Sequence, residues 1–416
     1  MKQCLRIQAR TTRCRARSRW LVLAGILLGW SAASQAGTLE QAKRIHDRLA
    51  GVPPTESVLL EMKAELDGGD GVGAAMIAME NDGFYNVTLK NWAAPWTNRE
   101  QNVFVPLNDY IATVIGMVRD GATTDFRQVL FGDILYTADA ALGLPAYSNS
   151  NNNHYQQLED GGYSLQQYLV QRSQSSVTGL PADATAGVVT SRAAAKSFFI
   201  AGTNRANFRY TLLNHLCMDL EQVHDTTRVP DRIRQDVSRS PGGDARVFLN
   251  NCIGCHSGMD PLAQAFAYYD YEYDADNDLT GENGAISYNA DGTIDPETGT
   301  RVKAKYRINS ATFPYGFVTP NDNWDNYWRE GQNQNLGWDS SLPGSGTGAR
   351  TMLQELAYSE AFASCQVKKA FKAVCLRDPG DAADRSAVTS MVTSFKGSGY
   401  NMKQVFAEAA DHCKGE

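Results

Sequence analysis

The sequence lacks the short motifs that mark the common hydrolases and nucleotide-binding proteins. It contains no P-loop, no Rossmann glycine fingerprint, no G-x-S-x-G and no H-E-x-x-H, so serine- or metal-dependent hydrolysis has no support. No repeat with a period of about 20–50 residues is visible, which argues against solenoids and propellers. After Trp30, no apolar run reaches the roughly 20 residues that a transmembrane helix needs.

Acidic residues are missing from the first 36 positions, although these positions hold seven Lys and Arg residues. The rest of the chain has 32 basic against 46 acidic residues, a formal charge of −14. An acidic surface repels phosphate backbones, so we expect no nucleic-acid partner. The length of 416 residues and the hydrophobic content of 43% suffice for two or three packed units.

Residues 1–36 have the pattern of a secretory signal peptide. A basic segment precedes the apolar run Trp20–Trp30, and Ser34 and Ala36 occupy the −3 and −1 positions of a cut before Gly37. An uncleaved anchor is the alternative, but the run is short for a membrane span. We therefore expect a periplasmic or secreted protein with no membrane span, in a compartment that permits disulfides.

Helical periodicity dominates the mature chain and predicts a mainly α fold. Residues 37–180 form a helical N-terminal region, residues 181–350 a mixed region with an acidic, turn-rich insertion, and residues 351–416 a C-terminal helical region. Gly and Pro after Leu49 stop the first helix, and Thr55 is placed to cap the second. Further helices are predicted over Val103–Val118, Phe126–Leu135, Ala245–Cys255, Leu353–Cys375, Ala387–Phe395 and Met402–Cys413.

The sequence Cys252-Ile253-Gly254-Cys255-His256 contains one C-x-x-C-H motif. In an exported protein this motif is the attachment signature of a c-type haem. On a helical turn, Cys252 and Cys255 share a face and can form thioethers to the two porphyrin vinyl groups, while His256 points at the iron as proximal ligand. We therefore expect one covalently bound haem c in the region 181–350.

Other interpretations of this motif have less support. A zinc half-site needs a second C-x-x-C or a His pair at zinc spacing, and neither is present. A thioredoxin-like redox pair would sit in a βαβ pattern, which does not surround the motif. Because there is only one C-x-x-C-H, di-haem peroxidases, which need two, are excluded.

The sixth ligand of the iron decides the function. A strong axial Met or His gives an electron carrier, whereas an open position admits small ligands. Met259 lies about one turn after His256 and so stays on the proximal side. The remaining candidates are Met352, Met391, Met402, Met218, His215 and His224. We predict Met352, which follows a Gly-rich segment, as the distal ligand.

Four further cysteines are predicted to pair in the mature chain: Cys217, Cys365, Cys375 and Cys413. Cys365 and Cys375 fall on one predicted helix about 15 Å apart, too far for a disulfide. If the last three helices run up, down and up, Cys375 and Cys413 fall on the same side. We therefore favour the bridges Cys375–Cys413 and Cys217–Cys365.

The acidic insertion has a weak resemblance to calcium loops. Acidic side chains alternate in Asp274–Asp278, and Asn289–Asp295 is similar to the centre of an EF-hand loop. The terminal positions of that loop would be Ser287 and Thr298, which lack the carboxylates that the ion needs. We expect a solvated acidic loop.

Several segments together resemble the planctomycete-type cytochrome c proteins, a family of large secreted proteins built around one C-x-x-C-H. Met259-Asp260-Pro261 and Tyr269-Asp270 match its haem segment, but the G-F-A-F-E core between them does not. Three other segments resemble family motifs: Leu49–Thr55, Leu212–Cys217 and Ser359–Cys365. The resemblance implies haem c, pairs Cys217 with Cys365, and leaves the reaction open. Because the family allows Ile at the position of Met259, it also argues against Met259 as ligand.

These observations predict a mono-haem c-type cytochrome that transfers single electrons to a redox partner protein. The absence of an obvious distal ligand and the length of the chain raise an alternative, a haem enzyme of peroxidase or oxidase type with an open distal site. A third alternative is a haem-bearing subunit of a larger redox complex.

Overall fold

The computed structural model describes residues 37–415. The predicted signal peptide, residues 1–36, lies outside the described residues. Helices make up 52% of the structure, which confirms the prediction of a mainly α fold. The strands of the described part form three short antiparallel pairs.

The N-terminal region begins with two helices that follow the predicted pattern. Helix α1 (Thr38–Ala50) buries Ile45 and Leu49 and ends at Gly51, whose φ of 73° is left-handed. Thr55 caps the second helix by accepting a hydrogen bond from the amide of Val58 at 3.4 Å. The region contains α1, α2 (Glu56–Asp67), α3 (Gly71–Ala78), a π-helical turn (Phe84–Leu89), α4 (Lys90–Ala93), α5 (Asp109–Arg119), α6 (Gln128–Phe131), β1 (Leu135–Ala138), α7 (Asn153–Asp160), α8 (Leu165–Tyr168), β2 (Leu169–Arg172) and α9 (Gln174–Thr178).

Two predicted helices of this region have different bounds. The helix predicted over Val103–Val118 starts only at Asp109, because Pro106 disfavours helical backbone before it and Asn108 provides the cap. The helix predicted over Phe126–Leu135 is wrong in its second half. Gly132 ends α6 in extended backbone, and Leu135 starts β1, which pairs with β2.

The middle region carries most of the irregular structure. It contains α10 (Arg192–Phe198), α11 (Arg205–Thr211) with a π-helical turn (Leu212–Leu216), α12 (Ala245–Val247) with a π-helical turn (Phe248–Cys252), α13 (Ile253–Ala263), β3 (Tyr269–Glu272), β4 (Ala285–Tyr288), β5 (Asn323–Asp325) and β6 (Ser345–Thr347). Strands β3 and β4 pair across the acidic insertion, and β5 pairs with β6.

The C-terminal region is a set of four helices: α14 (Gly348–Ala357), α15 (Glu360–Cys375), α16 (Ala382–Gly397) and α17 (Met402–His412). The single helix predicted over Leu353–Cys375 is divided between α14 and α15. Ser359 causes the break, because its backbone is extended and its side chain caps α15 by accepting from the amide of Phe362.

The three regions share one hydrophobic core. Its buried members include Ile111 from the first region, Phe266 from the second and Phe406 from the third. The last helix, α17, packs against α3, so the two ends of the described chain meet. Within residues 37–415, no helix combines the length and the apolar character needed to cross a membrane.

Candidate cofactor site

The C-x-x-C-H residues lie at the start of α13. Cys252 closes the π-helical turn, and the chain continues directly into α13 with Cys255 and His256 in its first turn. At 3.6 residues per turn, Cys252, Cys255, His256 and Met259 fall on one face of the helix. Both thiols are partly exposed and have no disulfide partner within residues 37–415, and the Cys255 thiol donates to the carbonyl oxygen of Leu220 at 3.4 Å.

The opposite face of α13 is held against the core through two glycines. A Cβ on Gly254 would lie 2.4 Å from Nε2 of His224, and a Cβ on Gly258 would lie 1.9 Å from Nε1 of Trp328. Distances below 3.0 Å leave no room for a side chain, so only glycine permits this packing. The Gly within the C-x-x-C motif thus fixes which face of the helix points outward.

The imidazole of His256 is fixed by a carboxylate one turn further along α13. Nδ1 of His256 lies 3.0 Å from Oδ2 of Asp260, whose side chain is fully buried. An ionised carboxylate only accepts hydrogen bonds, so the Nδ1–H of His256 donates and Nε2 stays available for a metal. This is the arrangement that orients metal-bound histidines in proteins.

A salt-bridge network secures Asp260 in turn. The guanidinium of Arg205, from α11, donates to Asp260 through Nε at 2.7 Å and Nη2 at 3.1 Å. The same guanidinium donates to Asp236 through Nη1 at 2.7 Å and Nη2 at 3.1 Å. Two bidentate pairs therefore join α13, α11 and the loop before α12.

The network also keeps Asp260 charged. Burial alone raises the pKa of its carboxyl, but the nearby charges of Arg205 and His256 outweigh that effect and hold the pKa below its ordinary value. Asp260 is therefore a carboxylate, with its charge shared between an arginine and the imidazole.

A cavity of about 470 Å³ lies along the outward face of α13. Cys252, His256 and Met259 line one side of it, and Arg209, Leu220 and Val237 are among the residues that line the others. The volume is within the usual range of cofactor and ligand sites.

The residues present fit a covalently attached haem. Two unpaired thiols lie on one helical face beside a cavity, and an adjacent imidazole has its Nδ1 side already bonded. The other four cysteines of the described chain are in disulfides, so the pairing pattern sets Cys252 and Cys255 apart from them.

The structure does not bring Met352 to this cavity, so the predicted distal ligand needs correction. Met352 is fully buried in α14, where it belongs to the hydrophobic core with Leu353 and Leu356. A thioether on the inward face of α14 is held by packing and does not line the cavity beside His256.

The other candidates for the distal position are also outside the cavity lining. His215 is fully buried, and its Nε2 lies 2.7 Å from the hydroxyl oxygen of Tyr110. His224 packs against Gly254, on the opposite face of α13. Core positions in α16 and α17 hold Met391 and Met402, and Met218 is partly buried against the core.

Two disulfides involve the C-terminal helices, and one of them ties these helices to the cofactor region. Cys217 pairs with Cys365 and Cys375 pairs with Cys413, with Cα–Cα separations of 5.3 Å and 5.5 Å. These are the two bridges that the sequence favours. The first joins the segment after α11 to α15, and the second joins the C-terminal ends of α15 and α17.

The acidic insertion uses its carboxylates within its own loops. Asp274 accepts from the amides of Asp276 and Asn277, and Asp278 accepts from the amides of Glu282 and Asn283. Among residues 37–415, no group of three or more His, Cys, Asp or Glu side chains is placed to hold a metal ion. A haem requires only one such protein ligand, with four nitrogens supplied by the porphyrin.

Comparison with known proteins gives no relative. No protein-family model matches the chain, no curated protein matches it, and no solved structure matches it. The resemblance to the planctomycete-type cytochromes therefore stays a prediction.

Proposed function

We propose that this chain is a secreted mono-haem c-type cytochrome that transfers single electrons in an oxidising compartment. The observation that carries the proposal is the arrangement on α13: two unpaired thiols and an oriented imidazole on one helical face, next to a cavity. Haem bound there would supply a one-electron Fe(II)/Fe(III) couple.

The chain's own residues have distinct roles in this proposal. Cys252 and Cys255 hold the porphyrin through thioether bonds, and His256 provides Nε2 as the proximal ligand. Asp260 keeps the proton of His256 on Nδ1 and fixes the plane of the ring. Arg205 and Asp236 hold Asp260 in place, so the imidazole does not reorient when the iron changes its charge.

The contacts of Asp260 with His256 and Arg205 also determine the direction in which the protein shifts the reduction potential. A carboxylate that accepts from Nδ1–H makes the imidazole a stronger electron donor, which favours the oxidised metal. Arg205 withdraws part of that effect because it shares the carboxylate charge. Asp260 and Arg205 together thus adjust how strongly His256 donates to the metal.

The cysteine pattern supports export. Two disulfides are compatible with an oxidising compartment. Cys252 and Cys255 lie outside these two bridges, which leaves both available for thioether formation.

A haem enzyme of peroxidase or oxidase type is the second candidate, and two observations favour it. Among the described residues that line the cavity, Met259 and His256 are the only Met or His side chains, and both come from the same helix. A buried carboxylate on the proximal imidazole also strengthens the donation that supports activation of bound ligands.

Optical spectra of the purified protein, oxidised and dithionite-reduced, with and without CO, test the proposal. Low-spin bands that do not respond to CO support electron transfer with two protein ligands. A high-spin spectrum that shifts with CO overturns that form of the proposal in favour of the haem enzyme. His256→Ala should remove the native spectrum, whereas His224→Ala, on the opposite face of α13, should keep it.

A further inference from the structure

A second cavity, of about 780 Å³, lies where the N-terminal helices meet α15. Its lining comes from α1, the segment 88–101 around α4, the end of the π-helical turn after α11, and the last turns of α15. None of these residues lines the cavity beside His256. The two cavities are therefore separate sites.

The charge of this cavity is opposite to that of the chain as a whole. Arg48, Lys369 and Lys372 line it, and no Asp or Glu does. Outside the first 36 residues, the chain has a formal charge of −14. Lys372 has a counterion outside the lining, Asp378, whose Oδ2 lies 3.0 Å from its Nζ. Arg48 and Lys369 remain as basic groups with no acid in the lining, so the cavity is complementary to an anion.

Of the basic side chains in the lining, Lys369 has no carboxylate beside it to offset a positive charge. Its Nζ donates to the carbonyl oxygen of Asn214 at 2.7 Å and lies 3.5 Å from the centroid of the Trp96 ring. Its contacts within residues 37–415 are this carbonyl and this ring, with no carboxylate among them. Desolvation lowers the pKa of its ammonium well below the ordinary value. A ligand carboxylate would give this ammonium the counterion that the protein does not provide.

The rest of the lining is aromatic, aliphatic and amide. Trp92 and Trp96 meet edge to face with ring centroids 4.5 Å apart, and both line the cavity. Leu376 lines it as well and is 74% exposed, a large exposed fraction for leucine. The amides of Asn91 and Gln101 add neutral hydrogen-bonding groups suited to hydroxyls.

We propose that this cavity binds a small aromatic carboxylic acid, with its carboxylate at Lys369 and its ring against Leu376. The volume suits a molecule of that size, and apolar walls with a few polar groups are typical of such sites. The apolar share of the lining favours an organic acid over inorganic phosphate. The proposal goes beyond the haem function and does not depend on it.

Isothermal titration calorimetry of the purified full chain with 4-hydroxycinnamate tests this site. Methyl 4-hydroxycinnamate, which has the same ring without the charge, is the control ligand. We expect the acid to bind with one-to-one stoichiometry and the ester to bind at least about tenfold more weakly, because it lacks the charge-assisted hydrogen bond.

Two pairs of variants locate the binding. Lys372→Glu puts a carboxylate into the lining at a side chain that is 62% exposed. It removes an ion pair with Asp378 that is exposed on both sides and therefore contributes little, so the fold should be kept. We expect it to weaken binding at least about fivefold. Lys368→Glu is the matched control, since Lys368 lies on the same helix, changes the net charge equally, and lines a different cavity. Lys369→Gln should weaken binding about tenfold or more, with Lys368→Gln close to the unchanged protein.

Three results would overturn the proposal. These are no heat of binding with the acid, equal binding of acid and ester, or equal effects of Lys372→Glu and Lys368→Glu. The last result would mean that the acid responds to overall charge and not to this cavity. A retained thermal unfolding midpoint of each variant shows that the comparison is made on folded protein.

Discussion

The Nδ1 atom of His256 lies 3.0 Å from Oδ2 of Asp260, a carboxylate that is completely buried one helical turn away. An imidazole bonded in this way has its tautomer, its ring plane and its electron donation set by a single neighbour. The relationship makes Asp260 the residue through which the protein positions the proximal ligand.

Asp260→Asn should raise the reduction potential of the haem protein. The amide keeps the shape of the side chain but removes the negative charge, so the imidazole donates less and the oxidised state loses stabilisation. Spectroelectrochemical titration should show a rise on the order of tens of millivolts. Asp244→Asn, on the exposed start of α12, should leave the potential unchanged. A potential that is equal or lower in Asp260→Asn would contradict the role given to the carboxylate.

Arg205→Gln should destabilise the fold strongly. Removing the guanidinium leaves Asp260 buried without its main counterion, which typically costs about 3–5 kcal/mol. Urea unfolding followed by circular dichroism measures the loss. Arg246→Gln is the matched control, because Arg246 is exposed and pairs only with its neighbour Asp244, and it should not change the midpoint measurably. Similar midpoints for both variants would show that the network contributes nothing to stability.

Gly258→Ala should destabilise the protein because its Cβ would lie 1.9 Å from the fully buried Trp328. Overpacking of this kind costs about 1–3 kcal/mol. Gly397→Ala, near the end of α16, meets no atom within 4 Å and should be neutral or stabilising by up to about 1 kcal/mol. Thermal unfolding should therefore show a lower midpoint for Gly258→Ala and an unchanged or higher midpoint for Gly397→Ala. Equal shifts would mean that α13 is not held as described.

Stability should fall below pH 6.5 because of His215. Burial, and then the charge of Lys369, hold the pKa of this histidine well below its ordinary value of 6.5. Tyr110 bonds its Nε2, and its buried Nδ1 has no partner. The folded state keeps His215 neutral while the unfolded state binds a proton, so the free energy of unfolding decreases as the pH falls.

The size of that effect follows from the ordinary pKa of histidine in the unfolded state, with His215 neutral in the folded state. Between pH 7 and pH 5, a histidine that protonates only in the unfolded state removes about 2 kcal/mol. Urea unfolding at both pH values should show that loss in the unchanged chain and a smaller loss in His215→Gln. The same pH dependence in both proteins would exclude His215 as its source.

Local signals predicted the fold where they were strong. Thr55 caps its helix as expected, because a cap depends on residues within one turn. Leu135 is predicted to be helical but lies in a strand. Its pairing partner, Arg172, is far away in sequence, so a local pattern does not indicate the pairing. The prediction places no helix break at Ser359, although serine is a common cap residue and Ser359 accepts from the amide of Phe362.

The residues of the candidate site also divide into those that local sequence predicts and those that it does not. Cys252, Cys255 and His256 follow from one motif, and the i, i+4 spacing of His256 and Asp260 could have predicted their contact. Arg205 could not be predicted, since it reaches Asp260 from another helix. The prediction of Met352 rests on its position after a Gly-rich segment, and sequence position alone does not tell a core methionine from a ligand.

The central claim is that Cys252 and Cys255 carry a covalent haem, and the most direct test is mass spectrometry of the exported protein. The chain should be expressed with the c-type maturation machinery, denatured, and measured intact and after proteolysis. We expect the polypeptide mass plus one haem, located on the peptide that contains both cysteines. A chain without haem, with Cys252 and Cys255 free or joined to each other, would contradict it.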